Sequence, residues 1–312
     1  MLPKFDTSVK KVDNEEKMSG MAIFTNDIRM DNAYFAQQVR STKAHAKLVK
    51  IKVPKLPKNY YFISAKDIPG ENVCNIIFSD WPVFADKEVN YIGETLGILV
   101  GPDKGKVIDL AAQVEGVYED LPTNFMMTES YIHKEFTKGD VSKFKKAKKV
   151  YEETFYTGYQ EQVYLETQAM LMYLENDQIV VKASMQCPFY IHKAVCRVLG
   201  CNTDRVRVIQ PAVGGAFGGK EHYPSLMAAQ LATAIVKIKK PIRMTFDRKE
   251  DISFTTKRHP SITHITGGQG GFAGTGMADE GKEFAGADFH VHVPDGGGLE
   301  GAVWLIGMGN MR

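Results

Sequence analysis

The residues best suited to chemistry form one run, Gly214-Gly215-Ala216-Phe217-Gly218-Gly219-Lys220-Glu221. Four glycines around a single phenylalanine let the backbone come close to a ligand and turn several N–H groups toward it. The run follows strand-like Arg205–Gln210 and precedes an apolar, helix-like stretch, Ser225–Val236. A strand, a glycine turn and a helix start together suit anions and cofactors. The phosphate-loop pattern requires Ser or Thr after the lysine, where this chain has Glu221. The Gly-x-Gly-x-x-Gly dinucleotide pattern does not fit either.

Neighbouring polar groups carry weaker signals. Gln186 lies just past a strand-like run, Gln178–Ser184, and by residue type alone reads as a satisfied polar group at a strand end. Glu221 reads either as a carboxylate favoured by a helix N-terminus or as a group facing a ligand. Lys220 reads as a solvated side chain, Cys187 as a small buried thiol, and His222 and Tyr223 as packing or rim residues. Ala216 adds a methyl group and disfavours positive φ, so that position is expected to be sterically open.

The elements that must hold these residues can be read in order. Residues 1–20 are polar and read as an arm. Strands are expected at Met21–Phe24, Ala33–Val39, Tyr60–Ser64 and Thr95–Val100, with a short helix at Ala44–Leu48. Asp67-Ile68-Pro69-Gly70 signals a turn in which Gly70 is free to take positive φ. Lys106–Glu115 has helical period and Val117–Pro122 is extended. This first unit, 1–125, reads as an α+β domain. Residues 126–150 form a charged linker. Beyond it come strands at Tyr151–Tyr156, Ala169–Leu174 and Gln178–Ser184, and a helix at Phe189–Leu199 capped by Gly200. The Arg205 strand, the glycine run, the Ser225 helix and a strand at Ile242–Phe246 follow. After His264 the composition changes: half of the chain's 28 glycines fall within 267–312, where only Lys282 and Arg312 are basic. Residues 265–312 therefore read as an atypical glycine-rich tail, either flexible or foreign to the preceding fold.

At 312 residues the chain is long enough for two cores, and 44% hydrophobic with 24% charged residues is ordinary for a globular protein. A net charge of +2 argues against a dedicated nucleic-acid binder. The four cysteines form no C-x-x-C pair, which favours free thiols in a reducing cytoplasm. No apolar leader or membrane-spanning run stands out, so a cytoplasmic protein away from the membrane is expected.

Across both units the motifs resemble one family, the molybdopterin-binding subunits of xanthine dehydrogenases and aldehyde oxidoreductases. The glycine run is similar to that family's Gly-Gly-Gly-Phe-Gly-Gly-Lys-Glu signature with Ala216 replacing one glycine, and Ser184-Met185-Gln186-Cys187-Pro188 resembles its Ser-Met-Gln segment. Phe246-Asp247-Arg248-Lys249-Glu250-Asp251 and Lys257-Arg258-His259-Pro260 also fit. In the first unit the resemblance rests on Thr25-Asn26-Asp27-Ile28, Arg40–Ala46, Asp67–Gly70, Val89–Glu94 and Tyr118–Pro122, which are similar to the small hammerhead domain.

The resemblance implies an α+β fold: a hammerhead-like domain over 1–125, the 126–150 linker and the first part of a molybdopterin-binding domain over 151–264. It implies molybdenum-dependent hydroxylation of a purine such as xanthine or hypoxanthine, another N-heterocycle or an aldehyde, with water supplying the oxygen. The cofactor would be molybdenum–molybdopterin, the cytosine-dinucleotide form included. Gln186 and Phe217 would face the metal's ligands, Gly215, Ala216, Phe217 and Gly218 would offer backbone N–H groups, and Glu221 would face the substrate. No catalytic residue is assigned: the family's general-base glutamate has no counterpart in this chain. The family's substrate-orienting Arg segment finds only a faint echo in Gly270–Gly276, without an arginine. Iron–sulfur and flavin subunits are the expected partners, in a hetero-oligomer, because neither cluster-type cysteine spacing nor a dinucleotide fingerprint occurs. The chain is expected to be an N-terminal fragment whose last ~45 residues derive from a frameshifted or misjoined reading frame, with weak or no activity alone; a remnant that only binds or assembles is the alternative.

Overall fold

β-Branched and aromatic runs from both halves of the chain meet in one sheet. The computed structural model describes residues 10–74, 76, 78–123, 149–269 and 287–292. Contacts divide the chain into two compact units: residues 1–123 with 162–256, and residues 124–161 with 257–312.

The first unit opens with a short helix α1 (Asn14–Met18). Strands β1 (Tyr34–Arg40), β2 (Ala46–Lys52), β3 (Tyr61–Ser64), β4 (Glu88–Val89) and β5 (Thr95–Gly101) follow, then α2 (Lys104–Ala111) and β6 (Glu115–Asp120). After β7 (Lys149–Thr157), which belongs to the second unit, come β8 (Ala169–Glu175), β9 (Gln178–Ala183), α3 (Pro188–Leu199), β10 (Val206–Ile209), α4 (Tyr223–Ile238), β11 (Ile242–Thr245) and α5 (Arg248–Phe254). Seven strands form a mixed sheet in the order β10-β9-β8-β11-β1-β5-β3. The seam between the two sequence segments is the parallel pairing of β1 with β11, Tyr34 opposite Ile242 and Phe35 opposite Arg243. A smaller sheet, β4-β2-β6, completes this unit.

Burial explains the order. Every residue of β5 is buried, as a continuous apolar strand between two packed layers requires. Ile98 and Val100 join the core beneath α3 and α4, whereas Leu96 and Leu99 pack with Val107 and Leu110 of α2. α4 is buried from Tyr223 through Ile235, and two of its polar side chains are satisfied internally: Gln230 Nε2 donates to Val83 O (3.0 Å) and Thr233 Oγ1 to Ala229 O (2.9 Å). α3 carries Pro188 at its first turn and ends on Gly200 at φ +61°, the left-handed cap its sequence predicts.

Some expectations are corrected. Ala44–Leu48 is not a helix: Ala46–Lys52 is strand β2. Met21–Phe24 forms no strand beyond an isolated bridge from Phe24 to Ala212. Gly70 does not need positive φ; a Cβ there would meet Arg197 O at 2.4 Å and Gly200 N at 2.6 Å, so glycine serves close approach to the end of α3. α2 begins at Lys104, where the Asp103 side chain accepts from Lys106 N–H (2.7 Å). The polar arm contains α1 within its described part.

The second unit is a three-stranded antiparallel sheet, β13-β12-β7, with β12 at Ser261–Gln269 and β13 at Ala287–His292. β12 runs unbroken past residue 264, pairing Ser261 with Thr157 and Gln269 with Lys149. Lys257 Nζ and Glu161 Oε2 lie 2.5 Å apart within this unit. Most of the expected linker, the Gly270–Gly276 segment and most of the tail lie outside the described residues.

Candidate functional site

The glycine run spans the turn between β10 and α4, and its backbone shows why most of it must be glycine. Gly215 (φ +94°) and Gly218 (φ +91°) occupy the left-handed region, and so does Phe217 (φ +52°). Gly214 and Gly219 are held by space instead: a Cβ would meet Glu166 Cβ at 2.6 Å and Tyr164 Cε1 at 2.5 Å, respectively. Ala216 is under neither constraint. It stays out of the left-handed region and is 8% exposed, so its methyl is tolerated in a buried place rather than the open one expected.

Gln186 is knitted to this turn. Its side-chain Oε1 accepts from Gly218 N–H (3.1 Å) and Lys220 N–H (3.2 Å), and its own N–H donates to Lys220 O (2.8 Å). Two backbone donors on one side-chain atom identify that atom as the oxygen, so the amide nitrogen points the other way. That Nε2 has no acceptor among the described residues, and Gln186 is exposed. The N–H groups of Gly215, Ala216 and Phe217 likewise find no acceptor among the described residues, whereas the Gly218 N–H is committed to Gln186. The Phe217 side chain is 78% exposed.

Beneath the turn lies a charged floor that the sequence reading did not find. Lys220, expected to be solvated, is 0% exposed. Its Nζ donates to Ser184 Oγ (2.7 Å) and Glu166 Oε2 (3.3 Å) and sits 4.5 Å from the centre of the Tyr164 ring. Burial pulls the Lys220 pKa down, against the attraction of Glu166. Glu166 Oε2 also accepts from Ser184 Oγ (2.6 Å) and Gly214 N–H (2.8 Å). One layer deeper, Tyr164 donates to Asp251 Oδ1 (2.7 Å), and Gln168 Nε2 donates to both Tyr164 Oη (2.8 Å) and Gly219 O (2.9 Å). Arg248 reaches Tyr164 O and Leu165 O, both at 2.7 Å. No motif spacing could reveal Glu166; the one available signal was its apolar neighbourhood, Val163-Tyr164-Leu165, which made an acidic residue conspicuous.

Glu221 is half-buried, and its carboxylate makes no hydrogen bond among the described residues. Burial, then the charge of Glu221, push the Cys187 thiol up. Cys187 itself is half-buried rather than buried. Tyr223 is packed in the core, and the His222 ring lies 6.1 Å from that of Tyr190. The structure thus brings Gln186, Gly215, Ala216, Phe217 and Gly218 into one surface, with Glu221 beside it.

Residues 19–122 match the family description "aldehyde oxidase and xanthine dehydrogenase, a/b hammerhead domain", and residues 117–270 match "molybdopterin cofactor-binding domain". The chain belongs to the xanthine dehydrogenase and aldehyde oxidase family. Xanthine dehydrogenase from Calliphora vicina is 35% identical over 276 residues, covering 83% of this chain and 20% of that protein. Aldehyde oxidase 2 from Macaca fascicularis is 32% identical over 257 residues, covering 78% of this chain and 19% of that protein. The chain therefore spans about a fifth of the length of the relatives it matches. Aldehyde oxidoreductase from Desulfovibrio desulfuricans shares the fold, with a TM-score of 0.69 at 19% identity over 83% of this chain and 32% of its own. The expected α+β architecture, a hammerhead domain with a molybdopterin-binding domain, is that of the family.

The residues present fit such a cofactor. The surface offers only neutral N–H donors, from Gln186 and from Gly215 to Phe217, and these suit oxygen ligands of a metal better than the metal itself. Among the described residues, no group of three or more His, Cys, Asp or Glu side chains is arranged to hold a bare ion. Among the described residues, no helix is long and apolar enough to cross a membrane.

Proposed function

We propose that this chain forms one wall of a molybdopterin-dependent hydroxylase acting on a purine or related N-heterocycle, with electrons leaving to iron–sulfur and flavin partners. The observation that carries the reading is the fixed direction of the Gln186 amide: its oxygen is pinned by the Gly218 and Lys220 N–H groups, and its NH2 faces outward. When bound, the cofactor supplies the redox chemistry and activates water at neutral pH. The chain supplies position. Gln186 Nε2 and the N–H groups of Gly215, Ala216 and Phe217 would donate to the cofactor's oxygen atoms. Such donors are already aligned and need no reorganisation, which is the source of their electrostatic advantage.

Glu221 supports the heterocycle over the aldehyde. A half-buried carboxylate without an internal donor is suited to accept from a ring N–H, whereas an aldehyde offers no such donor. No residue of this chain is proposed as catalytic base. The 312-residue chain, loaded with molybdenum–molybdopterin and repurified, is the test. Retention of about one molybdenum per chain by elemental analysis is expected, with loss of retention in Gln186→Ala. Absence of molybdenum from the wild-type chain would overturn the reading and favour an assembly remnant. With the cofactor retained, xanthine is expected to bind more tightly than an aromatic aldehyde, and the reverse order would favour the aldehyde reading instead.

A further inference from the structure

The site as described accounts for Gln186 and the glycine turn, but not for a fully buried ammonium directly under them. A lone lysine at 0% exposure is costly, and even a paired one is weak as a source of stability, because desolvation offsets most of the attraction. An apolar residue would fill the space at lower cost. The arrangement of its contacts points to a reason for its presence.

Lys220 grips both segments of the site at once. Its backbone N–H donates to Gln186 Oε1 and its carbonyl accepts from Gln186 N–H. Its ammonium reaches back to Ser184, two residues before Gln186, and to Glu166. Glu166 then grips the far end of the turn. Its Oε2 accepts from Gly214 N–H, and its backbone N–H donates to Gly214 O (3.1 Å). The pair therefore closes a ring: Gly214 at one end, Lys220 at the other, and Ser184–Gln186 between. Within that ring sit the unengaged N–H groups and the outward amide. The ammonium's three protons have three partners, Ser184 Oγ, Glu166 Oε2 and the Tyr164 ring face, so it has one geometry rather than several.

We propose that Lys220 and Glu166 are a positioning pair: they set the direction of the Gln186 amide and the spacing of the Gly215–Phe217 N–H groups, and do not touch substrate or cofactor. The role of that direction rests on the molybdopterin reading above. The geometric claim stands apart from it. Removing the ammonium frees Ser184 and leaves the Glu166 carboxylate, 12% exposed, without its counter-charge. Removing both charges while keeping an acceptor at 166 spares the fold that penalty but leaves Ser184–Gln186 without its tie to the turn.

The decisive variant is the doubly neutral Lys220→Met/Glu166→Gln, compared in the full chain with Lys220→Met alone. Lys220→Met is expected to lower Tm most, and the double variant to recover to within about 3 °C of wild type. Residue-resolved amide exchange then separates positioning from stability. In the double variant the Gly218 and Lys220 amides should exchange about tenfold faster, while amides of α4 and β8 keep wild-type protection. Affinity for added molybdopterin cofactor should fall about tenfold or more. Unchanged exchange at Gly218 and Lys220, or a uniform loss across α4 and β8 as well, would overturn the positioning role. If the wild-type chain takes up no cofactor, the functional reading fails, and the exchange comparison still decides the positioning claim.

Discussion

Two largely buried ion pairs in the first unit use opposite chemistry for different ends. Arg40, on β1, presents a flat guanidinium whose edges meet Gly93 O and Tyr223 Oη at 3.1 Å, Glu250 Oε1 at 3.0 Å, and Gln38 Oε1. Its charge also lies over the Phe254 and Phe246 rings, at 4.4 and 5.3 Å. These partners come from β1, the Gly93 turn, α4 and α5, so Arg40 ties the first sequence segment to α4 and α5 of the second. Every group it touches is internal. Lys220 has fewer partners, and it lies under a turn whose Gly215, Ala216 and Phe217 N–H groups have no acceptor among the described residues. The planar fork suits a junction of four elements; the point charge suits a single apex beneath a turn. One pair holds the fold together, and the other shapes a surface.

The largest effect is expected at Arg40. Arg40→Met strands Glu250, whose side chain is 11% exposed, and removes four hydrogen bonds with it. The expected loss is about 3–5 kcal/mol, read as a fall in the urea midpoint with little change in slope. Amide protection at Gly218 and Lys220 should fall only in step with global stability, unlike the local loss expected at the Lys220 pair. A selective loss there would erase the distinction between the two pairs.

A steric probe of the second pair ranks next. Gly214→Ala places a methyl 2.6 Å from Glu166 Cβ, so the carboxylate must move off the Gly214 N–H. Overpacking of this kind costs about 1–3 kcal/mol. The informative measurement is cofactor retention, which should drop more than for a surface variant of equal Tm. Equal retention at matched Tm would separate the floor from the site.

Acid sharpens the contrast through Glu250. Burial is the largest influence on its carboxyl and raises its pKa above 4.5, while Arg40 opposes the rise. A raised carboxyl binds its proton in the folded state before it does in the unfolded chain. This group's contribution to stability therefore grows as pH falls from the folded pKa toward 4.5. Without Arg40 the folded pKa climbs further and the window widens. Arg40→Met should regain stability relative to wild type on acidification from neutral pH, on the order of 1 kcal/mol per unit of further rise. Glu94, also raised by burial, is common to both proteins and cancels in the difference. A deficit constant with pH would show that Glu250 is solvated in the variant.

What the sequence revealed follows the same division between local and distant causes. β5, the β8–β9 hairpin with its positive-φ Asn176 and Asp177, and α3 with Gly200 were legible because their period and terminators lie within a few residues. β2 was misread because its register shifts between Leu48 and Lys50, so the alternation that marks a strand is interrupted. Gln186 and the glycine turn came through a family resemblance, and their pairing through two hydrogen bonds is a matter of three dimensions. Lys220 looked solvated because a lysine's burial depends on its counter-charge, and Glu166 is brought to it from another segment by β8 and β9. A side chain whose environment is assembled across the fold carries no mark in its own neighbourhood.

The smallest effect tests the surface itself. Phe217 is an aromatic residue at φ +52° with its ring 78% exposed, so it bears left-handed backbone strain and buries little in return. Left-handed backbone costs a non-glycine residue roughly 1–3 kcal/mol, part of which glycine would recover before its own entropy cost. Phe217→Gly should therefore leave stability unchanged or raise it by a few tenths to about 1 kcal/mol. A strained residue kept at no benefit to folding is one whose side chain serves elsewhere. Cofactor retention in Phe217→Gly should fall even as Tm holds or rises, the opposite of Arg40→Met, in which Tm falls first. If Phe217→Gly loses stability instead, the ring packs in solution, and Phe217 belongs with the floor rather than the site.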